Sequence, residues 1–186
     1  MKIYLIRHGQ DDDSVRGGWS NSALTETGIL QSEELADELL YNLSYYNIGR
    51  IFSSDILRAR QTAEIIAEKL GLPVEYLTEF REVNNGDLAG LDNRIAESKY
   101  PNMYWRNMAW EEHYPNGESP CEFRNRVNDA WHSLLKALAG YDKNALLITH
   151  GGVINVVRCL TEGKEYSNKE RYSSVPSAKI CFEIEV

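Results

Sequence analysis

Short apolar runs alternate along the chain with longer segments of helical periodicity. Because each run is brief and is bounded by glycine, serine or charged residues, we interpret these runs as strands. The predicted strands span 2–6, 50–53, 74–77 and 145–149, with an alternating edge strand at 179–186. The predicted helices run from 25 to 43, from Ser54 or Asp55 to 70, from 119 to 138 and from 152 to 160.

Several helix ends carry recognisable signals. Thr25 can cap the first helix, and Gly71 followed by Pro73 ends the second. The segment from Ser119 to Glu122 has a capping serine, a proline at the first position and a glutamate at the third, which is typical of a helix start.

The alternation of strands and helices predicts the fold class α/β. We expect a three-layer sandwich with a mostly parallel central sheet and an antiparallel edge strand, formed as one domain over residues 1–186. The segment 90–117 is less regular and rich in Tyr, Trp and Asn. We interpret it as a lid insertion above the carboxyl ends of the strands.

Composition narrows the classes of partner. The net charge of −8 argues against a nucleic-acid binder, and no segment approaches the length of a membrane span. No secretory signal is visible, and the 3 cysteines are widely spaced without a Cys-x-x-Cys pair. We therefore expect a cytoplasmic protein with reduced thiols. The sequence does not indicate an oligomeric state.

Two distant parts of the chain share one pattern, in which an apolar strand ends at a histidine followed by glycine. The first is Leu5 to Gly9, which includes Arg7 and His8, and the second is Ala145 to Gly152, which includes His150. In a parallel sheet the carboxyl ends of the strands meet at one edge, which is where ligands bind. A pair of histidines there, beside arginines, favours chemistry on a phosphoryl group.

Roles follow from the residue types. His8 is the candidate nucleophile, because a neutral imidazole is nucleophilic near neutral pH and adjacent arginines disfavour its protonation. Arg7 and Arg58 are candidate phosphate ligands, since a guanidinium presents a planar fork to phosphate oxygens. His150 is expected to stabilise the developing charge on the phosphoryl oxygens. Gly151 offers close backbone approach to the substrate.

The candidate general acid is Glu82, because a leaving alkoxide needs a proton. Spacing alone does not separate Glu82 from Glu79, and an exposed glutamate paired with Arg81 is the alternative. Taken alone, Arg58 would more often form a surface ion pair with Asp55 or Glu64. A zinc site built from His8, His150 and Glu82 is disfavoured by the neighbouring arginines, so we expect no metal and no other cofactor.

These residues resemble the signature of the histidine phosphatase superfamily, the phosphoglycerate-mutase-like proteins. The similarity extends over nearly the whole chain in the expected order. It comprises Arg7–Gln10, Leu24–Gln31, Ser53–Ala63, Arg81–Glu82 with Gly86 and Gly90, Asn116–Ser119 and Ile148–Ile154.

The resemblance implies a phosphohistidine mechanism without metal or nucleotide. In it His8 attacks phosphorus, Glu82 protonates the leaving oxygen and then activates water, and Arg7, Arg58 and His150 hold the phosphoryl oxygens. Substrate contacts are implied at Gln10 and Ser14.

The chain departs from the family pattern at two positions. Asp11 stands where the family often has threonine, and Ser14 where it often has asparagine. Because three acidic residues, 11–13, lie near the mouth of the site, they should weaken general phosphate binding or select substrates with a cation or few charges.

The mutases of this family are usually longer than this chain. A mutase must also retain its phosphorylated intermediate and exclude water. We therefore expect the phosphatase branch: a phosphomonoesterase acting on a small phosphorylated metabolite, of alpha-ribazole phosphatase or broad-specificity type. The leaving group is expected to contact Tyr104, Trp105, Arg106 and Trp110. The alternatives are a mutase or phosphotransferase, and a non-catalytic protein that binds phosphorylated ligands.

Overall fold

A computed structural model describes residues 1–170 and 177–185 of the chain. Its strands are β1 (Lys2–Arg7), β2 (Ile48–Ser53), β3 (Val74–Tyr76), β4 (Asn144–Thr149) and β5 (Ile180–Glu185). Its helices are α1 (Glu26–Tyr41), α2 (Leu43–Tyr46), α3 (Leu57–Leu70), α4 (Asn93–Lys99), α5 (Pro120–Ala137) and α6 (Gly151–Thr161).

The strands form one sheet in the order β3-β2-β4-β1-β5. Neighbouring strands are parallel except β5, which pairs with β1 in the antiparallel sense at the sheet edge. The predicted fold class is confirmed, including the antiparallel edge strand; Val186, at the end of that prediction, lies outside the described residues. The strands that precede the two histidines, β1 and β4, are neighbours at the centre of the sheet.

Side-chain alternation along the central strands divides the core into two layers. Ile3, Leu5 and Leu147 face a cluster with α5 and α6, whereas Tyr4 and Ile6 face a cluster with α1 and α3. Because consecutive side chains of a strand point to opposite faces, each central strand contributes to both layers. The sheet is thus covered on both sides and its buried strands are apolar, as expected for a parallel sheet.

The helix boundaries differ from the prediction where side chains have other partners. Helix α3 begins at Leu57 rather than at Ser54 or Asp55. The Ser54 hydroxyl accepts a hydrogen bond from the backbone of Ile56 and contacts a histidine, while Asp55 pairs with Arg81, so neither caps the helix. The short helix α2 and helix α4 were not predicted.

The predicted lid has a small core of its own. Leu88, Met108 and Tyr114 are buried together, and Trp105 joins them to the main core through an edge-to-face contact with Phe123 at 5.4 Å. This attachment fixes the segment beside the amino end of α6. No helix within the described residues is long and apolar enough to span a bilayer.

Candidate active site

The ends of β1 and β4 bring the two predicted histidines together. Arg7 and Thr149 are register partners, and the backbone N–H of His8 donates to the carbonyl of Thr149 at 3.0 Å. The His8 and His150 ring centroids lie 5.1 Å apart, and both residues are buried. Two residues separated by most of the chain therefore share one pocket at the carboxyl edge of the sheet.

His8 is held with one ring nitrogen ready to act as a nucleophile. Its Nδ1 lies 2.7 Å from the Gly9 carbonyl, an acceptor, so Nδ1 carries the proton. Nε2 then has its lone pair in the ring plane, and the Nε of Arg58 donates to it at 3.2 Å. The nitrogen that can attack phosphorus is thus next to a fixed positive charge.

Both histidines are held in the neutral form. Burial is the larger cause that lowers the pKa of His8 well below its usual value, and Arg58 and Arg7 lower it further. Burial also lowers the pKa of His150 well below its usual value, with smaller contributions from Arg58, His8 and Arg7. A charged imidazole would lose its hydration and meet like charges, so the neutral form prevails near neutral pH.

Arg58 is buried in the first turn of α3, where hydrogen bonds to three residues and an ion pair with Asp11 hold it. Beyond its contact with His8, its Nη1 donates to Ser20 at 3.3 Å and its Nη2 to the Gly18 carbonyl at 2.8 Å. Asp55 and Glu64, the alternative partners considered from the sequence, pair instead with Arg81 and Arg60. The structure thus places Arg58 in the site and not in a surface ion pair.

Arg7 lies close to both histidines and to the start of α6. Its charge contributes to lowering the pKa of both His8 and His150. A Cβ built on Gly151 would lie 3.9 Å from the Arg7 Nε, so Gly151 and Arg7 are close neighbours.

His150 is oriented by a residue that the sequence reasoning missed. Its Nε2 lies 2.9 Å from the Ser54 hydroxyl, which itself accepts a hydrogen bond from the backbone N–H of Ile56. The hydroxyl proton can then donate to Nε2, and with that assignment the imidazole proton lies on Nδ1. That Nδ1 is buried and has no hydrogen-bond partner within the described residues. It is suited to donate to an anion.

Glu82 lies at the amino end of α6, directly beside this pair. Its Oε2 accepts from the backbone N–H of Gly152 at 3.0 Å, and its Oε1 from Val83 at 3.1 Å. A Cβ on Gly152 would lie only 2.3 Å from Oε1, so a glycine is required for this approach. Glu79 is exposed and lies elsewhere. The structure therefore distinguishes Glu82 from Glu79, which the sequence spacing alone did not.

The backbone that carries Glu82 is fixed by Arg126 of α5. Its guanidinium donates to the carbonyl groups of Glu79, Arg81 and Glu82 and is itself held by Glu118. The Trp19 indole also donates to the Glu82 carbonyl, at 2.7 Å. Arg126 and Trp19 were missed because their partners are backbone carbonyls, which leave no pattern in the sequence.

Three predicted contact residues lie at the margin of this cluster. Gln10 is exposed, and its backbone N–H donates to Gln31. Ser14 is exposed as well, bonded through its backbone to Asp12 and Asn93. Gly151 lies at the first position of α6. Substrate binding by these three residues stays a prediction.

The backbone of Gly9 packs so closely against α1 that the position has no room for a side chain. A Cβ there would lie 2.4 Å from the Gly28 carbonyl and 2.9 Å from the Ser32 hydroxyl. The close approach is therefore to helix α1, and it fixes the turn that carries His8.

The lid residues line two cavities beside the site, and Trp105 and Arg106 line both. One cavity, of about 320 Å³, is lined by Glu82, Gly152, Trp105, Arg106 and Asn155. The other, of about 470 Å³, contains Tyr104, whose ring lies 4.2 Å from the Arg16 guanidinium. Trp110 instead faces Tyr166, at 6.5 Å between ring centroids. Of these two cavities, the one of about 320 Å³ therefore adjoins Glu82.

Within residues 1–170 and 177–185, no group of three or more His, Cys, Asp or Glu side chains is arranged to hold a metal ion. Cys121, Cys159 and Cys181 form no disulfide within the described residues.

Comparison with known proteins finds one family over nearly the whole chain. The family model of the histidine phosphatase superfamily (branch 1) matches residues 3–183. A probable phosphatase of Schizosaccharomyces pombe is 36% identical over 162 residues, which cover 85% of this chain and 72% of that protein. A probable phosphoglycerate mutase, GpmB, of Yersinia pestis is 36% identical over 159 residues, covering 81% and 70%.

A solved structure is similar as well. The alpha-ribazole phosphatase of Shigella flexneri superimposes with a TM-score of 0.75 at 29% identity, covering 89% of this chain and 81% of that one. The chain therefore shares its fold with that phosphatase.

The two buried histidines predict a pH dependence of stability. Their lowered pKa values mean that the unfolded chain binds protons that the folded chain does not, so the free energy of unfolding should fall as pH drops below about 6.5. Each histidine contributes up to about 1.4 kcal/mol per pH unit, and above that pH the contribution is flat. Urea unfolding of the native chain and of His8→Asn, in buffers without phosphate, measures this slope.

In His8→Asn the free energy of unfolding should depend less steeply on pH, by an amount that corresponds to about one proton. His132→Gln, at an exposed position, is the control for histidine removal at the surface. An unchanged slope in His8→Asn would contradict burial of a neutral imidazole.

Gly152→Ala should impair the chemical step while leaving the fold intact. The added methyl group displaces the Glu82 carboxyl, so turnover of an alkyl phosphate should fall about 10- to 100-fold. In a Glu82→Gln background, Gly152→Ala should lower turnover little further, because the acid that it displaces is already absent. Additive losses in this double-mutant cycle would show that Gly152 acts independently of Glu82.

Proposed function

Because the chain belongs to the histidine phosphatase superfamily (branch 1), we propose that it is a phosphomonoesterase that hydrolyses a small phosphorylated metabolite through a phosphohistidine on His8. The observation that carries the proposal is the contact between the His8 Nε2 and the Arg58 Nε, at 3.2 Å in a buried pocket. A neutral nucleophile and a fixed cation adjoin the same point, which suits attack on an anionic phosphorus centre.

In the first step the His8 Nε2 forms a bond to phosphorus as the ester P–O bond breaks. Arg7, Arg58 and the Nδ1–H of His150 hold the phosphoryl oxygens, which carry more charge in the transition state. A protonated Glu82 transfers its proton to the leaving oxygen, so the alcohol departs neutral. The positive charge that develops on the phosphorylated imidazole is balanced by the phosphoryl group itself.

In the second step water attacks the phosphohistidine. Glu82, now a carboxylate held by the amino end of α6, accepts the proton of that water, and the P–N bond breaks to restore neutral His8. Glu82 therefore ends the cycle protonated, as it began. The two backbone N–H donors at Gly152 and Val83 keep the carboxyl group in one orientation through both transfers.

The leaving group fits the cavity of about 320 Å³ beside Glu82. Trp105 provides an apolar face, while the buried Oδ1 of Asn155 has no hydrogen-bond partner among the residues the structure describes. An acceptor in that position suits a hydroxyl group on the leaving group. A small polar metabolite is therefore favoured over a bulky macromolecular substrate.

The alternative is a phosphoglycerate-type mutase, which the similarity to the Yersinia pestis protein favours. A mutase must shield the phosphohistidine from water until the acceptor binds. Here Tyr104 and Arg106, at the cavity rims, are exposed, so water has access from the lid side. That openness favours hydrolysis.

His8→Ala should abolish turnover of p-nitrophenyl phosphate by several orders of magnitude, because the nucleophile is lost. In the native chain, rapid quench into alkali followed by mass spectrometry should find phosphate on His8. His132→Ala is the matched control and should keep full activity.

The fate of the trapped phosphoryl group separates the two functions. Transfer to water as inorganic phosphate supports the phosphatase, whereas transfer to 3-phosphoglycerate primed with a bisphosphoglycerate supports the mutase. Turnover that survives in His8→Ala would overturn the mechanism.

Glu82→Gln should show a dependence on the leaving group. The amide can still accept a hydrogen bond from Gly152 but cannot deliver the proton, so an alkyl phosphate should lose about 10²- to 10⁴-fold in kcat. A nitrophenyl phosphate should lose much less, since nitrophenolate leaves without protonation. Equal losses for both substrates, measured under the same conditions, would assign the acid to another residue.

A further inference from the structure

One acidic residue of the run 11–13 faces the candidate phosphoryl site. The Asp11 Oδ2 lies 3.4 Å from the Arg58 Nε, and its Oδ1 lies 4.0 Å from the His8 Nδ1. Its side chain is 18% exposed, whereas Asp12 and Asp13 are exposed. A carboxyl group thus adjoins the same guanidinium that contacts the nucleophilic nitrogen.

The charged groups around Asp11 come from several elements. Arg58 of α3 and Arg7 of β1 attract its carboxylate, and Asp12 in the same loop repels it. His8 is neutral, and Asp11 and Glu82 both raise the pKa of Arg58 against the effect of its burial. Burial outweighs the arginines, and the pKa of Asp11 is raised above its usual value.

A phosphoryl group at the His8 Nε2 would lie against the Nε of Arg58. The Asp11 Oδ2 already forms an ion pair with that same nitrogen, at 3.4 Å. Two anionic oxygens beside one guanidinium nitrogen repel each other in a buried site, unless a proton lies between them. A proton there converts the repulsion into an O–H···O⁻ hydrogen bond, which is short and strong.

We propose that Asp11 makes binding of the phosphoryl group proton-coupled, with one proton held between its carboxyl group and a phosphoryl oxygen. The inference rests on the proposed function and adds a specificity determinant to it. The proton arrives with the monoanion of the phosphate ester, or on Asp11 itself, and returns to solvent with the product. The site therefore selects the singly protonated phosphoryl group over the dianion.

Binding of inorganic phosphate to the intact chain tests the proposal without requiring turnover. Titration calorimetry from about pH 6 to about pH 9 covers the second ionisation of phosphate. For the native chain the apparent Kd should rise about tenfold per pH unit above that ionisation, because one proton is taken up per complex. For Asp11→Asn the Kd should become nearly independent of pH and lower at the alkaline end.

Matched variants assign the proton. Asp13→Asn removes the same formal charge from an exposed neighbour and should keep the native slope. Glu82→Gln, which removes the other carboxyl group of the site, should also keep it. A slope that disappears in Glu82→Gln, or one that persists in Asp11→Asn, would overturn the proposal.

Two further results separate this proposal from its premise. If no variant binds phosphate, the proposed function fails together with the inference; if all bind with the same pH dependence, only the inference fails. Asp11→Ser is a second variant should the amide perturb folding. If Asp11→Asn instead weakens only turnover of phosphoethanolamine and leaves the slope unchanged, Asp11 binds a cation of the leaving group and the proposal is wrong.

Discussion

The parallel pairing of β1 with β4 is the constraint on which the site depends. The register joins Ile3 to Ala145 and continues to Arg7 and Thr149, and the His8 N–H closes it on the Thr149 carbonyl. A shift of one residue would move each side chain to the opposite layer of the core, where its packing partners differ, so the register is strongly specified. The distance between the two imidazoles is therefore set by the hydrophobic core and not by the pocket itself.

The alternation of apolar runs and helices was sufficient to predict this architecture, and the strand–histidine–glycine pattern was sufficient to predict which residues meet. The ends of the helices are harder to predict, because they depend on contacts with residues that are distant in the sequence. Ser54 reads as a helix cap, yet its hydroxyl is used by His150, and helix α3 begins three residues later at Leu57. Arg126 binds backbone carbonyls, which any sequence possesses, so no residue pattern could indicate its role.

The ion pairs around α3 explain why Arg58 lies in the site and does not pair with its acidic neighbours in the sequence. Asp55 and Glu64 are near Arg58 in sequence, and each could neutralise it. Asp55 instead binds Arg81 in a two-point contact, and Glu64 binds Arg60 on the exposed side of the helix. With these carboxylates engaged, the charge of Arg58 remains directed at the His8 Nε2 in a pocket where weak hydration makes it effective.

Asp11 places a negative charge beside the arginines of the site. That charge affects whether the phosphoryl group is released to water or kept for transfer. Two guanidinium groups alone would bind inorganic phosphate tightly, and tight binding of a product slows its release. A carboxylate 3.4 Å from Arg58 repels the phosphate dianion more strongly than the monoanion. It therefore weakens the binding of free phosphate at pH values above the second ionisation of phosphate. A hydrolase gains turnover from weak product binding, whereas a mutase depends on keeping its phosphoryl group in the site. The acidic residue at this position is thus consistent with hydrolysis for the same physical reason that makes binding proton-coupled.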